Sequence, residues 1–264
     1  MKKTKMKIQK EINRTAVILC GGKGTRLGQL GKKIPKALVK IHGNPILWYI
    51  INILKQNNFN HFILPLGYKG HLIKKFISSK NSLKKNNIDL VFTGENSNIS
   101  QRIWKIQKLI KSENFLLLNG DAIFDFGLNK VYKNHIKKKI DMTFIAGANT
   151  YSYGTVGFKN GRVIDFKRNL VYDAIKVRNK NNYTAYSYTG MSIINIKLLD
   201  QKYKHCKNFE KDLFPNFVKN FKCDLVHLKG FWHSMDNMKD ISAINNKKLN
   251  NSKFYKLKKI IKKI

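Results

Sequence analysis

The stretch at residues 15–40, TAVILCGGKGTRLGQLGKKIPKALVK, limits most strongly the folds that this chain can adopt. Residues 16–19 are apolar and predict a buried strand. Gly21, Gly22 and Gly24 follow the end of that strand, where they remove side chains and leave backbone N–H groups bare. Bare N–H groups in a tight turn form a concave anion site that a polyphosphate can approach closely. The stretch therefore predicts a strand that runs into a phosphate-binding loop.

Two cationic side chains accompany this loop. Arg26 offers a planar fork of donors, and Lys36, which follows Pro35, offers a point charge. The loop is neither of the two common phosphate-binding loops. A Walker loop needs lysine after its last glycine, whereas Thr25 follows Gly24 here, and the GxGxxG of dinucleotide-binding proteins is missing. The pattern therefore predicts a triphosphate site of another class.

The order and spacing of these residues resemble the signature of the sugar-phosphate nucleotidyltransferase family. In that family a strand runs into GGxGTRL and then, after a short gap, into PKxLxxI; this chain reads GGKGTRL at 21–27 and PKALVKI at 35–41. The resemblance implies transfer of a nucleotidyl group from an NTP to a phosphorylated acceptor with release of pyrophosphate. It implies Arg26 and Lys36 as catalytic residues. The nucleotide-binding residues that it implies are Leu19, Gly21, Gly22, Gly24, Thr25, Gly94, Arg102 and Gly120.

Apolar strands alternate with amphipathic helices along most of the chain, which indicates an α/β protein. The resemblance implies a Rossmann-like three-layer α/β/α fold with a mixed, mostly parallel sheet, as in nucleotide-diphospho-sugar transferases. The predicted strands are 16–19, 61–66, 88–93, 115–118, 142–146, two within 154–166, 192–195 and 223–228, and residues 170–185 are predicted to be an irregular loop. The predicted division is a basic extension at 1–14, a nucleotidyltransferase domain at 15–245 and a basic tail at 246–264.

Two aspartates are candidate metal ligands. Asp121 follows the predicted strand at 115–118, and open α/β sheets place their ligands at the carboxyl ends of strands. It matches the magnesium-binding aspartate of the family. The segment GFWHSMD at 230–236 is similar to the GFWxxMD of the cytidylyltransferases, which makes Asp236 the second ligand. Mg²⁺ needs only one or two protein carboxylates when phosphate oxygens complete its shell. The implied cofactor is therefore Mg²⁺.

Two further segments look like the glucose-1-phosphate cytidylyltransferase branch of the family. They are NPILWYI at 44–50 and GYKGHLIKKFI at 67–77, and they imply CTP as the nucleotide. The branch carries a TGGRL segment near the base, where this chain has ISQRI at 99–103. Arg102 matches the arginine of that segment, but neither of its two glycines is present here. The predicted base pocket therefore differs from that of the cytidylyltransferase branch.

The residues expected to bind the acceptor also depart from the family pattern. A Glu-Lys pair that contacts the sugar phosphate in relatives is replaced here by Lys167 and Arg168, either of which can supply the basic group. An Asn-Gly-Gly segment that contacts the sugar is replaced at 188–190, where Tyr188 stands for asparagine and only Gly190 is kept. The acceptor need not be glucose 1-phosphate. Phosphocholine cytidylyltransferase-like and heptose-1-phosphate guanylyltransferase-like activities remain alternatives.

The chain is strongly basic, with 52 Lys and Arg against 15 Asp and Glu and a formal net charge of +37. Such a charge suits a non-catalytic binder of nucleic acid or of an anionic surface on the same fold, which is the alternative of another class. The excess lysine accompanies many Asn and Ile residues, so we favour biased composition as its cause and expect no specific nucleic-acid partner. The tail at 250–264 is expected to pack locally through Phe254, Leu257 and Ile260.

The expected cellular localisation follows from the lack of recognisable targeting and membrane segments in the sequence. The chain has no apolar run of about 18 residues, and residues 1–14 lack the apolar core of a signal peptide. Cys20, Cys206 and Cys223 lack metal-ligand spacing and indicate a reducing compartment. We therefore expect a cytoplasmic enzyme without a membrane span that makes precursors of surface polysaccharide, and a homo-oligomer stays open.

Overall fold

The structure, a computed structural model, describes residues 13–178, 182–200, 206–246 and 252–264. The predicted basic extension lies outside the described residues except for positions 13 and 14. The strands are β1 (Thr15–Leu19), β2 (Lys40–Ile41), β3 (Asn44–Pro45), β4 (His61–Leu66), β5 (Asn87–Phe92), β6 (Asn114–Asn119), β7 (Ala122–Asp125), β8 (Met142–Gly147), β9 (Asn149–Lys159), β10 (Arg162–Tyr172), β11 (Ala174–Val177), β12 (Tyr183–Asn195), β13 (Cys223–His227) and β14 (Phe231–Ser234). The helices are α1 (Gln29–Lys33), α2 (Ile46–Gln56), α3 (Gly70–Ser79), α4 (Asn81–Lys84), α5 (Ile99–Ile106), α6 (Leu128–Lys137), α7 (Phe214–Asn220), α8 (Met238–Asn245) and α9 (Ser252–Lys263).

The central sheet has the strand order β13-β8-β12-β6-β1-β4-β5, and β11 pairs with the first part of β12. Strand β12 runs antiparallel to β8, β6 and β11, whereas the other neighbours along this order are parallel. Strand β1 lies between β6 and β4 and is apolar from Ala16 to Leu19, as expected of a strand buried on both faces. The prediction of a mixed, mostly parallel sheet is therefore confirmed.

Helices cover both faces of this sheet. Successive side chains of a strand point to opposite faces, so in β1 Ala16 and Ile18 lie in one apolar core and Val17 lies in the other. The first core includes side chains from α2, α3, α6, α8 and α9, and the second includes side chains from α5 and α7. The predicted three-layer α/β/α arrangement is confirmed.

The hairpin β9–β10 forms a separate two-stranded sheet. Its turn at Asn160 and Gly161 has two positive φ angles, 50° and 76°, as the Lys-Asn-Gly signal predicts. The strands extend beyond the predicted segment, and β11 lies within residues 170–185, so the prediction of an irregular loop there is wrong. Every position of β10 except its last is exposed, and a strand without a buried face lacks the alternating pattern that reveals strands in a sequence.

The carboxyl-terminal tail folds back onto the protein. In α9, Leu257 and Ile260 are buried in the first core, which agrees with the expected local packing, whereas the side chain of Phe254 lies outside the described residues. Lys263 donates to a carboxylate oxygen of Asp125 at 2.7 Å. Across the described ranges, we find no helix with the length and apolarity that crossing a bilayer requires.

Candidate active site

A cavity of about 560 Å³ opens at the carboxyl ends of the neighbouring strands β1 and β6. Its walls come from the glycine-rich loop, from the segment between β5 and α5, and from the loop that carries Lys36. The predicted site residues that line it are Leu19, Gly21, Gly22, Gly24, Thr25, Arg26, Lys36, Arg102, Gly120, Asp121 and Asp236. The fold therefore gathers most of the predicted nucleotide and metal residues around one opening.

The glycine-rich loop is shaped by its backbone. Gly24 has φ +61° and ψ 35°, a left-handed conformation that favours glycine, and it precedes the short 3₁₀ turn Thr25–Leu27. Gly120, which follows β6, donates its N–H to the carbonyl of Leu19 at 3.1 Å. A Cβ atom at Gly120 would lie 2.9 Å from that carbonyl oxygen, so only glycine lets the ends of β1 and β6 approach this closely.

Four charged side chains meet at the rim of the cavity. The ammonium of Lys36 lies 2.7 Å from Asp121 Oδ2 and 2.9 Å from Asp236 Oδ1. Nη1 of Arg26 lies 3.3 Å from the same oxygen of Asp236. Lys36 is the most enclosed of the four with 15% of its side chain exposed, whereas 75% of the Arg26 side chain is exposed. The cluster is thus a pair of carboxylates bridged by Lys36, with a second and largely exposed cation beside it.

The two aspartates are far apart in the sequence and are brought together by the short antiparallel pair β7–β14. Asp121 immediately precedes β7, and Asp236 follows β14 after Met235. Ala122 lies opposite Ser234, and the N–H of Met235 donates to the carbonyl oxygen of Asp121 at 2.9 Å. This hydrogen-bonded ribbon fixes the spacing of the two carboxylates.

The electrostatics of the cluster favour the ionised form of Asp236. Partial burial alone would raise the pKa of Asp236, but the hydrogen bond and charge of Lys36, a hydrogen bond from Ser234 and the charge of Arg26 outweigh it. The pKa of Asp236 therefore lies below its ordinary value.

The carboxylate oxygens of Asp121 and Asp236 fit Mg²⁺ if a nucleotide completes the coordination. Asp121 and Asp236 direct oxygens at one cation, and oxygen ligands are those that Mg²⁺ prefers. In the part of the chain that the structure describes, no cluster of three or more His, Cys, Asp and Glu side chains is arranged to hold a metal ion. Two carboxylates suffice for Mg²⁺ when phosphate oxygens and water supply the rest. The residues thus fit a metal that binds together with a nucleotide.

Arg102 has a structural part in the cavity wall, and its predicted nucleotide-binding role stays a prediction. Its guanidinium is buried and donates to Thr93 Oγ1 at 2.7 Å and to the carbonyls of Leu66 and Gly21, both at 3.1 Å, and of Glu95 at 3.3 Å. Burial lowers the pKa of Arg102 below its ordinary value. The guanidinium thus donates four hydrogen bonds to other parts of the protein. These bonds join the chain at the carboxyl ends of β1, β4 and β5.

The predicted acceptor residues are not gathered at the cavity in the same way. Lys167 forms an exposed ion pair with Asp165 at 3.0 Å on the β9–β10 hairpin, and Arg168 is exposed beside it. Gly190 has φ +76°, and a Cβ atom there would lie 2.4 Å from Nδ2 of Asn119, a residue that lines the cavity. Gly190 is therefore next to the cavity, whereas Lys167 and Arg168 lie on a separate arm.

Tyr188 and Gly94 are also absent from the cavity lining. The Tyr188 ring packs edge-on against Phe144 and Phe214, and its hydroxyl shares a hydrogen bond of 2.8 Å with Ser192 Oγ. Burial raises the pKa of Tyr188 well above its ordinary value. In this conformation the Tyr188 hydroxyl is engaged in the second core, and an acceptor role for it stays a prediction.

Several lining residues were not among those predicted. Residues 95–98 form one wall, and they are held by a capping box in which Asn98 Oδ1 accepts from the N–H of Gln101 and Gln101 Oε1 accepts from the N–H of Asn98. The Asn-x-x-Gln spacing before an amphipathic helix is the sequence signal that could have revealed this wall. Cys20 and Lys23 also line the cavity.

This fold and cavity define a class of α/β proteins that bind a nucleotide at the carboxyl edge of the sheet. The family described as Nucleotidyl transferase matches residues 15–251, and the chain belongs to that family. The family resemblance drawn from the two motifs is confirmed.

Similar proteins differ in the nucleotide that they are named for. The probable glucose-1-phosphate cytidylyltransferase of Bacillus subtilis is 29% identical over 250 residues, which cover 87% of this chain and 94% of that protein. The D-glycero-α-D-manno-heptose 1-phosphate guanylyltransferase of Aneurinibacillus thermoaerophilus is 32% identical over 212 residues, covering 79% and 89%. The crystal structure of HddC from Yersinia pseudotuberculosis, solved also in complex with GMP-PN, has a TM-score of 0.65 at 23% identity and covers 86% of this chain and 96% of that chain. The last similarity supports the fold.

Proposed function

We propose that this sugar-phosphate nucleotidyltransferase transfers CMP from CTP to a sugar 1-phosphate or a similar phosphorylated acceptor, releases pyrophosphate and depends on Mg²⁺. The observation that carries the proposal is the cluster of Lys36, Asp121 and Asp236 at the rim of a cavity built from the glycine-rich loop. In this cluster, a cation that can bind phosphate lies next to two carboxylates that can bind a metal ion.

The chain's own residues supply binding and charge stabilisation. The bare N–H groups of the glycine-rich loop would hold the triphosphate, as backbone nests do. An oxygen of the acceptor phosphate attacks the α-phosphorus in line, a P–O bond forms there, and the bond to the β-phosphate breaks to release pyrophosphate. Arg26 and Lys36 would offset the charge that develops on the transferring group. Because a phosphate monoester is already ionised at neutral pH, no protein base is required.

Asp121 and Asp236 would hold the metal in this scheme. Bound there, Mg²⁺ would draw charge from the phosphate oxygens and orient them. The ribbon β7–β14 keeps the two carboxylates at a fixed spacing, so the protein needs no rearrangement of its backbone to present them.

The choice of CTP rests on the motifs shared with the cytidylyltransferase branch and on the similarity to the protein from Bacillus subtilis. A second candidate is transfer of GMP to a heptose 1-phosphate, which the similarity to the guanylyltransferase of Aneurinibacillus thermoaerophilus supports at 32% identity. A phosphocholine-like acceptor is a further alternative, and we propose reaction in the cytoplasm for surface polysaccharide synthesis. A non-catalytic anion binder is disfavoured, because such a protein has no use for carboxylates among its cavity cations.

A screen of pyrophosphate release tests this proposal. The four NTPs are each combined with Mg²⁺ and with a panel of phosphorylated sugars, polyols and amino alcohols. We expect release with CTP and a sugar 1-phosphate and none without an acceptor. Release only with GTP and a heptose 1-phosphate would favour the second candidate, and no release with any pair would overturn the assignment as an enzyme.

A further inference from the structure

We propose that Lys36 is an exchangeable cation of the metal site: its ammonium holds the two carboxylates in the nucleotide-free protein and is released to the phosphates when the metal binds. The inference rests on the proposed function, because it assigns Asp121 and Asp236 to the metal. It goes beyond that function by giving the order of events at the site.

The ammonium of Lys36 and a metal ion would use the same carboxylate oxygens. The Lys36 ammonium lies 2.7 Å from Asp121 Oδ2 and 2.9 Å from Asp236 Oδ1, so the two carboxylate oxygens converge on the point that the ammonium occupies. Mg²⁺ binds carboxylate oxygens at about 2.0–2.1 Å and demands near-octahedral geometry. The ammonium and the metal ion cannot both lie between these two oxygens, because they would overlap in space and would repel each other strongly. Lys36 and the metal are therefore mutually exclusive there.

The charge balance of the cluster couples metal binding to nucleotide binding. In the structure the two carboxylates face Lys36 and, at 3.3 Å, Arg26, so the formal charges of the four groups sum to zero. A divalent metal alone would displace one cation and leave an excess of positive charge in a half-enclosed cavity. A triphosphate entering with the metal supplies the missing negative charge. The free protein should therefore bind the metal weakly, and metal and nucleotide should each raise the affinity for the other.

The side chain of Lys36 can reach a new partner. Its side chain lines the cavity that the glycine-rich loop encloses, and a lysine ammonium sits on a flexible four-carbon stem. Its backbone is fixed, because Pro35 precedes the 3₁₀ turn Lys36–Leu38 and Val39 closes that turn with a hydrogen bond to the Lys36 carbonyl at 3.1 Å. Only the side chain needs to move to exchange the carboxylates for phosphate.

Titration of Mn²⁺ into the nucleotide-free protein tests the exchange. Mn²⁺ takes the same oxygen ligands, and electron paramagnetic resonance reports its free concentration without any turnover. We expect Lys36→Met to bind Mn²⁺ at least about tenfold more tightly than the wild type, because the competing cation is gone. Lys23→Met removes one positive charge from the same cavity wall and should change Mn²⁺ affinity much less.

Two results would overturn the exchange. One is that Lys36→Met and a second variant, Lys36→Gln, both keep the fold by circular dichroism and bind Mn²⁺ no more tightly than the wild type. The other is that Lys23→Met tightens binding as much as Lys36→Met, which would make the effect one of general charge. The outcome is independent of activity: if the wild type releases no pyrophosphate in the NTP screen, the proposed reaction is refuted, whereas tighter Mn²⁺ binding by Lys36→Met would still support the exchange.

Discussion

Nη2 of Arg102 donates a hydrogen bond to the carbonyl oxygen of Gly21 at 3.1 Å, and a Cβ atom built on Gly21 would lie only 2.2 Å from Nη1 of the same guanidinium. The glycine-rich loop is therefore held in place by a buried arginine that fits only because residue 21 has no side chain. This contact joins the loop after β1 to helix α5.

Alanine at position 21 should consequently destabilise the protein. The added methyl group overlaps the guanidinium, which cannot move without losing hydrogen bonds to Leu66 and Thr93. Overpacking of this kind costs about 1–3 kcal/mol. Urea unfolding of Gly21→Ala measures the loss. The matched control is Gly22→Ala, where a Cβ atom meets nothing within 4 Å and the free energy of unfolding should change by less than about 0.5 kcal/mol. Equal stability of the two variants would contradict the assigned role of Arg102.

The sequence predicts the loop and the position of Asp121 for physical reasons that apply locally. An apolar run followed by glycines specifies a strand and a bare turn, and the rule that ligands lie at strand carboxyl ends locates Asp121. Asp236 was assigned by family resemblance, and the structure supplies the reason that it meets Asp121, namely the antiparallel pair β7–β14.

The part played by Arg102 could not be predicted, because it depends on contacts between distant segments. Two of its partners, Gly21 and Leu66, lie 81 and 36 positions away in the sequence. The place of an arginine in a sequence motif does not determine whether its guanidinium faces a ligand or the backbone. Tyr188 was unpredictable for the same reason, because its environment is made by Phe144 and Phe214 from other elements.

The carboxylates provide the most direct test of the reaction. Asp121→Asn and Asp236→Asn keep the shape of each side chain and remove the charge that a metal requires. We expect each variant to lower kcat for pyrophosphate release by orders of magnitude, measured at saturating Mg²⁺. Asp125→Asn, a change in the same ribbon whose carboxylate pairs with Lys263, is the control and should leave kcat near the wild-type value. Near-normal turnover by either folded Asp121 or Asp236 variant would refute the metal assignment.

Stability should fall in mild acid because of His135. Its ring is buried between Thr143 Oγ1, at 2.8 Å from Nδ1, and Asn114 Oδ1, at 3.0 Å from Nε2. Burial lowers the pKa of His135 from an ordinary value of 6.5 to about 4, against the weaker opposing charges of Asp141 and Asp224. Between these two values the unfolded chain binds a proton that the folded protein does not, so the free energy of unfolding decreases as the pH falls from about 6.5 towards 4.

The size of this effect should approach about 3 kcal/mol at the acid end of the range. Urea unfolding at pH 7.0 and at intervals down to about pH 4.5 measures it. His135→Gln removes the titrating group and should flatten this part of the profile, even if it lowers stability at neutral pH. His71→Gln, at an exposed histidine on α3, should keep the wild-type slope. A slope that survives in His135→Gln would assign the acid sensitivity to other groups.

The last prediction separates the enzyme from the basic anchor. Deleting α9 would be ambiguous, because Leu257 and Ile260 are buried in the core and each contributes about 1.5–3 kcal/mol. The lysines on the exposed face of α9 can be changed without disturbing the packing of Leu257 and Ile260. The variant of choice therefore changes Lys258, Lys259 and Lys262 to glutamine in one chain.

Co-sedimentation with anionic liposomes and filter binding to duplex DNA, each at low and physiological salt, compare this variant with the wild type. If the +37 charge is a matter of composition, polyanion binding is loose, falls steeply with salt and decreases only slightly in the variant, because the charge is spread over the whole surface. A matched change of Lys74, Lys75 and Lys84 to glutamine on α3 and α4 should have a similar small effect. Binding that persists at physiological salt and is lost only when the α9 lysines are replaced would instead identify the tail as a dedicated anchor.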